Sequence, residues 1–194
     1  LKTLLKAQGF DARLTDIGTN EIPFKMSEVP TLGSANHVIC TLFYKGKTFY
    51  IDATCNHIPY TYTPQHIQGS EAMIENGDKP LLQIVPQQKA DASIDSLAYQ
   101  YHLQGDALAG KATYQLRGNM KEWFMSIIDD AGNKNSDDIL ANNLNADTHN
   151  MTVSDVKWTD QDARHEWARF TGNVVNKPAV QQMDGEIYIE LNPH

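Results

Sequence analysis

The chain has 194 residues, a net charge of −8 and an apolar fraction of 41%, which suits one large domain or two small ones with enough apolar material for a core. The acidic balance argues against a general nucleic-acid surface and against binding to anionic membranes. No apolar run reaches the roughly 18 residues of a membrane-spanning helix, and Cys40 and Cys55 are too few for a disulfide framework.

Leu1, Leu4, Leu5 and Ala7 fit the inner face of a helix that ends at Gly9, a residue suited to a left-handed C′ position. The chain thus opens inside a helix and reads as a piece of a larger protein. Phe10 to Ile17 alternates as a strand, and Gly18 to Ala35, with its prolines and glycines, is a long loop. His37 to Tyr44 and Lys47 to Ala53 form a hairpin about the turn Lys45-Gly46, where glycine supplies positive φ. Cys55 to Gln68 is irregular. Gly69 to Ile74 and Leu81 to Val85 read as short strands, and polar residues from Pro86 to Ala92 mark a boundary. The expected domains are therefore 1–86 and 87–194.

The second part opens with a hairpin, Ile94 to Gln104 and Ala107 to Arg117, turned by Gly105-Asp106. Asn119-Met120-Lys121-Glu122 has capping-box spacing. Met120, Trp123, Phe124, Ile127 and Ile128 then recur at helical spacing, so Trp123 and Phe124 are expected in the core, and Gly132 ends the run. A short helix from Ser136 and strands over Met151–Trp158, Glu166–Asn173 and Glu186–Leu191 complete the reading.

The first hairpin can carry chemistry. With the turn at Lys45-Gly46, Tyr44 faces Lys47, Ile39 faces Asp52 and His37 faces Thr54. His37 and Asp52 then lie on one face as diagonal neighbours. Diagonal positions are roughly 7–8 Å apart at the backbone, within reach of an imidazole and a carboxylate. The carboxylate would hold the ring, select its tautomer and support the imidazolium during proton transfer. A one-residue slip would put Asp52 on the other face. The bland alternative is a solvated histidine at a strand start and a capping aspartate at a strand end.

The order of Gly9-Phe10-Asp11-Ala12-Arg13, a long loop, Asn36-His37-Val38 and Ile51-Asp52-Ala53-Thr54 resembles the core of the bacterial transglutaminase-like superfamily, relatives of the papain-type thiol hydrolases. Gln68-Gly69-Ser70-Glu71-Ala72 resembles the Gln-Gly segment of large envelope-associated members. Leu116-Arg117-Gly118 and Ile187-Tyr188-Ile189-Glu190-Leu191-Asn192-Pro193 loosely resemble their appended domain. The resemblance implies an α+β fold, a partial transglutaminase/papain-like core with an antiparallel sheet, followed by a β-rich, sandwich-like domain with one or two helices. It implies that His37 is the general base and Asp52 its orienting carboxylate. It also implies a nucleophilic cysteine at the N-terminus of the helix that here begins at Leu1, activated by the helix dipole and the imidazole. The expected activity of the intact parent is acyl transfer or amide hydrolysis on a protein or peptide substrate, through a thioester. The 194 residues alone are expected to be inactive. The resemblance further implies a periplasmic or cell-envelope location. A module that keeps the fold and binds without catalysis is the competing expectation.

Other candidates are bland. Cys40 is offset from His37 by an odd number and points to the other face, as a small buried hydrophobe. Cys55 follows Asp52 in a loop and reads as an ordinary cysteine rather than a reactive thiol. Cys55-Asn56-His57 with His66 nearby lacks the second ligand pair of structural zinc, the acidic stretch from Asp129 to Asp138 fails the calcium-loop pattern, and no phosphate-binding glycine loop occurs. No metal or cofactor is therefore expected. Tyr60, Tyr62, Pro59 and Pro64 either line a substrate groove or brace a loop, with bracing preferred. Asn150-Met151-Thr152 is a glycosylation sequon of no predictive value here.

Overall fold

A computed structural model describes residues 1–132, 135–145 and 151–190. The sequon's Asn150 and residues 191–193 of the terminal motif lie outside them, as do residues 133 and 134 of the acidic stretch. The chain divides into two compact units, Leu1–Ala92 and Ser93–His194; the sequence reading put the break after residue 86.

The first unit holds helix α1 (Lys2–Ala7) and strands β1 (Asp11–Ile17), β2 (His37–Tyr44), β3 (Lys47–Ile51), β4 (Glu71–Ile74) and β5 (Leu81–Ile84). They form one antiparallel sheet in the order β3-β2-β1-β4-β5. The two outer strands are at opposite ends of this order, yet Tyr50 Oη donates to Gln83 Oε1 at 3.0 Å. The sheet therefore curls upon itself. Ile17, Ile39, Tyr50, Ala72, Ile74 and Val85 fill the concave side, and Ile67 enters from a loop. Within that core Thr15 and Thr41, both fully buried, satisfy each other across β1 and β2 at 2.6 Å, as buried hydroxyls must.

Local chemistry explains several boundaries. Lys45 (φ 49°) and Gly46 (φ 73°) both take positive φ, the requirement of a two-residue hairpin turn whose twist matches its strands. The β2–β3 register is then Tyr44 against Lys47 and Cys40 against Ile51. Gly9 (φ 83°) ends α1. The expected inner face of α1 is not formed: the helix buries none of its residues, and Leu4 is 72% exposed. Two turns of helix carry too few apolar positions to make a stripe of their own.

The second unit contains β6 (Ile94–Gln104), β7 (Ala107–Arg117), α2 (Asn119–Ala131), α3 (Ser136–Leu144), β8 (Met151–Asp160), β9 (Trp167–Asn176), β10 (Val180–Met183) and β11 (Glu186–Ile189). β6-β7-β9-β8 form an antiparallel sheet, and β10 and β11 a separate ribbon. The layer packed over the four-stranded sheet is the helix pair, which revises the sandwich-like expectation. Tyr114, Phe124 and Phe170 stack at 5.0–6.0 Å, with Trp158 edge-on to Phe170 at 5.2 Å. Gly172 admits α3: a Cβ there would stand 2.8 Å from Leu144 Cδ1 and 3.2 Å from Ser154 O.

Two expectations for α2 need correction. Its N-cap is Gly118 at φ 63°, with no side-chain cap, so the capping box is not formed and Asn119 is already helical. The buried stripe is Lys121, Phe124 and Met125, with Ile128 partly buried against the core. These follow i, i+3, i+4, i+7, and Trp123 falls outside that stripe at 61% exposed. Lys121 is fully buried because its ammonium donates to the carbonyls of Asp162 at 2.9 Å and His165 at 2.6 Å, with Ala163 O at 3.5 Å. Burial still pulls its pKa below the usual lysine value, against the attraction of Asp160, Asp162 and Glu122.

Candidate functional site

His37 opens β2, and Asp52 follows the last residue of β3. The register that pairs Cys40 with Ile51 puts the two side chains on the concave side. His37 Nε2 lies 2.7 Å from Asp52 Oδ2. Their side chains are 23% and 1% exposed, respectively. The start of β2 is held by Asn36, whose backbone N–H donates to Ile17 O at 3.2 Å. Its amide exchanges two bonds of 2.9 Å with Thr19. The histidine is thereby fixed by the hairpin on one side and by the beginning of the long loop on the other.

Asp52 is satisfied on both oxygens. Oδ1 accepts from the Thr54 backbone N–H at 2.9 Å and from the Thr54 hydroxyl at 2.7 Å, the local turn geometry that aspartate favours. Burial pushes the Asp52 carboxyl upward, but the two Thr54 bonds and the His37 contact outweigh it, and the net shift is downward. The carboxylate is therefore the standing form near neutrality, and it holds His37 by Nε2. The ring nitrogen left for proton transfer is Nδ1.

A third side chain joins them. His66 Nε2 lies 2.9 Å from the same Asp52 Oδ2, and the two imidazole rings meet edge to face at 5.6 Å. His66 rides on a 3-10 turn over Gln65–Ile67, anchored by the fully buried Ile67. Asn20 clamps this turn: its N–H donates to His66 O at 2.8 Å and its amide to Gln65 O at 2.9 Å. Gln68 adds a bond to Thr63 O at 2.7 Å. The sequence reading placed His66 only near Cys55 and His57 and gave it no part beside Asp52. The segment between has no period of 2 or 3.6, so nothing in its pattern fixes where residue 66 arrives.

The two thiols differ in burial. Cys40 is buried, and burial raises its pKa. It sits at the opposite pleat from His37. Cys55 is half-buried in the turn after Asp52, its N–H bonded to Asp52 O at 3.3 Å. Clefts flank the strands of the first unit. One of about 470 Å³ is lined by Asn20, Phe24, Met26, Gln68 and Glu71 among others. One of about 770 Å³ lies among Phe49, Tyr50, Tyr60, Gln83 and Ile84. Tyr60 thus lines a cleft, with its ring 5.4 Å from Phe49, although bracing was the preferred expectation for it.

Comparison of the chain with protein-family models, with curated proteins and with solved structures gave no match. The functional reading accordingly rests on the residues and their geometry.

Proposed function

We propose that the first unit is a transglutaminase-like core in which His37 and Asp52 serve a cysteine thiol in acyl transfer or amide hydrolysis on a protein or peptide. The observation that carries this reading is the contact between His37 Nε2 and a buried, Thr54-braced Asp52 at 2.7 Å. A merely solvated aspartate would have no cause to be buried, and a merely capping one would not engage a ring.

The resemblance puts the thiol at the N-terminal end of the helix preceding β1. His37 Nδ1 takes the thiol proton, and the thiolate adds to a glutaminyl or peptide carbonyl carbon. The tetrahedral adduct collapses to a thioester as the imidazolium returns that proton to the departing amine. An incoming amine or water, deprotonated by the same nitrogen, then releases the cysteine. Asp52 retains its charge throughout and stabilises the imidazolium. An envelope or periplasmic location accompanies this reading.

The test is His37→Ala in the full gene product. Turnover and alkylation of the thiol by iodoacetamide at neutral pH should both fall by about 100-fold or more, the usual weight of a general base. Undiminished turnover in that variant removes the assignment. Absence of turnover and of rapid alkylation in the unsubstituted gene product would favour the non-catalytic binding module instead.

A further inference from the structure

A carboxylate that orients one catalytic imidazole needs one imidazole. Here two converge on a single oxygen, His37 Nε2 at 2.7 Å and His66 Nε2 at 2.9 Å from Asp52 Oδ2. The three ligand atoms all lie within 4.8 Å of one another. We propose that His37, Asp52 and His66 form a binding site for a divalent transition-metal ion of the zinc class. The proposal does not rest on the thiol reading.

The donor set is the first argument. Two imidazole nitrogens and one carboxylate oxygen are the ligands that zinc and its neighbours prefer, and three protein ligands leave a fourth position for water or substrate. Distance is the second. Around a tetrahedral ion with bonds of about 2.0–2.1 Å, neighbouring ligand atoms stand roughly 3.3 Å apart. The two contacts to Asp52 Oδ2 are a few tenths of an ångström shorter, so small outward rotations of the two rings make room for the ion. Solvent borders both rings, with the His37 and His66 side chains 23% and 40% exposed, whereas the Asp52 side chain is 1% exposed. The third argument is the surrounding support. Thr54 donates twice to the other carboxylate oxygen, and Asn20 holds the His66 turn through its backbone. Metal ligands are commonly oriented in this way by a layer of hydrogen bonds behind them.

On binding, each neutral ring presents an unprotonated Nε2 to the ion and carries its proton on Nδ1, so no net proton need leave. The His37–Asp52 hydrogen bond and the ion exclude each other. An ion here would occupy the groups assigned to base catalysis, and the site would be either metallated or available to a thiol.

The experiment uses the 194-residue chain, stripped with a chelator and titrated with Zn²⁺ against a chromophoric competitor at pH 7.5. One ion per chain should bind with a Kd below about 10 µM. His37→Ala and His66→Ala should each weaken it by about 100-fold or more, while Cys55→Ser leaves it unchanged. X-ray absorption of the zinc-loaded unsubstituted chain supplies a reading independent of any variant's folding. It should show nitrogen and oxygen neighbours only. No binding at about 100 µM Zn²⁺, affinity that survives His66→Ala, or a sulfur neighbour that would move the ion to Cys55 would each overturn the site. Failure of His37→Ala to affect thiol alkylation in the full gene product bears on the catalytic reading alone.

Discussion

Asp52→Ala is the perturbation that most directly weighs the cluster. It deletes a carboxylate that accepts four contacts, two from Thr54 and one from each of two histidines, at 2.7–2.9 Å. Hydrogen bonds to a charged group contribute about 1.5–3 kcal/mol each, which bounds the gross loss at roughly 6–12 kcal/mol. Against this stands the penalty of holding a charge on a side chain only 1% exposed, which is several kcal/mol even in relaxed proteins. The donors left behind are not sealed in, since Thr54 is exposed and both histidines are partly exposed. They rehydrate, and the extra cost of stranded donors is small. The net expectation is a loss of about 2–4 kcal/mol at pH 7. The chain's three tryptophans, Trp123, Trp158 and Trp167, all belong to the second unit. The loss should therefore be followed in urea titrations by amide hydrogen exchange of β2 and β3, which report on the first unit directly. Asp52 has a folded-state pKa below its ordinary value, so its contribution is fully present above about pH 5 and is lost as pH falls through the depressed folded value. Asp52→Asn, which cannot titrate, should remove that part of the acid dependence. A chain in which Asp52→Ala costs less than about 0.5 kcal/mol, within the range of ordinary surface changes, would refute the claim that this carboxylate is held by its neighbours.

Further outcomes follow from other parts of the molecule. Thr15→Val should cost about 1–3 kcal/mol by stranding the Thr41 hydroxyl, whereas Thr15→Val with Thr41→Val should recover most of it; a double-mutant cycle in urea reads the difference. Gly110→Ala should lower the melting temperature of the second unit by several degrees, because the new Cβ would sit 1.9 Å from Gln100 O, a backbone atom of the paired strand. Lys121→Met should destabilise that unit by about 1–3 kcal/mol, as the carbonyls of Asp162 and His165 lose their donor. Its signature is a shifted tryptophan-fluorescence transition, since Trp158 and Trp167 flank the loop that Lys121 holds.

Features governed by neighbours in the chain were legible before any coordinates. Lys45-Gly46 states its turn through backbone permissiveness, and the register from Tyr44 against Lys47 follows by counting. Ile94–Gln104 and Ala107–Arg117 carry their own strand pattern and turn glycine, and their bounds match the reading. The placement of His37 and Asp52 on one face belongs to the same class, because a period of two leaves a hairpin only one choice once its turn is known.

Features that depend on distant partners were not. The stripe on α2 is chosen by where Phe170 and Tyr114 stand, so Trp123 turns outward while Lys121, the polar member of the face, is drawn in by three carbonyls of the loop after β8. The curl that brings Tyr50 to Gln83 accumulates over five strands and is written in none of them singly. His66 is the clearest case: an aperiodic segment delivers it to Asp52 because Ile67 is pulled into the concave core and Asn20 ties the turn down. Turn chemistry and side-chain alternation act over a few residues and can be read in order along a chain. Burial of an apolar residue contributed by a loop depends on a cavity that exists only after the strands have met, and that is why the second imidazole emerged from the packing and not from the pattern.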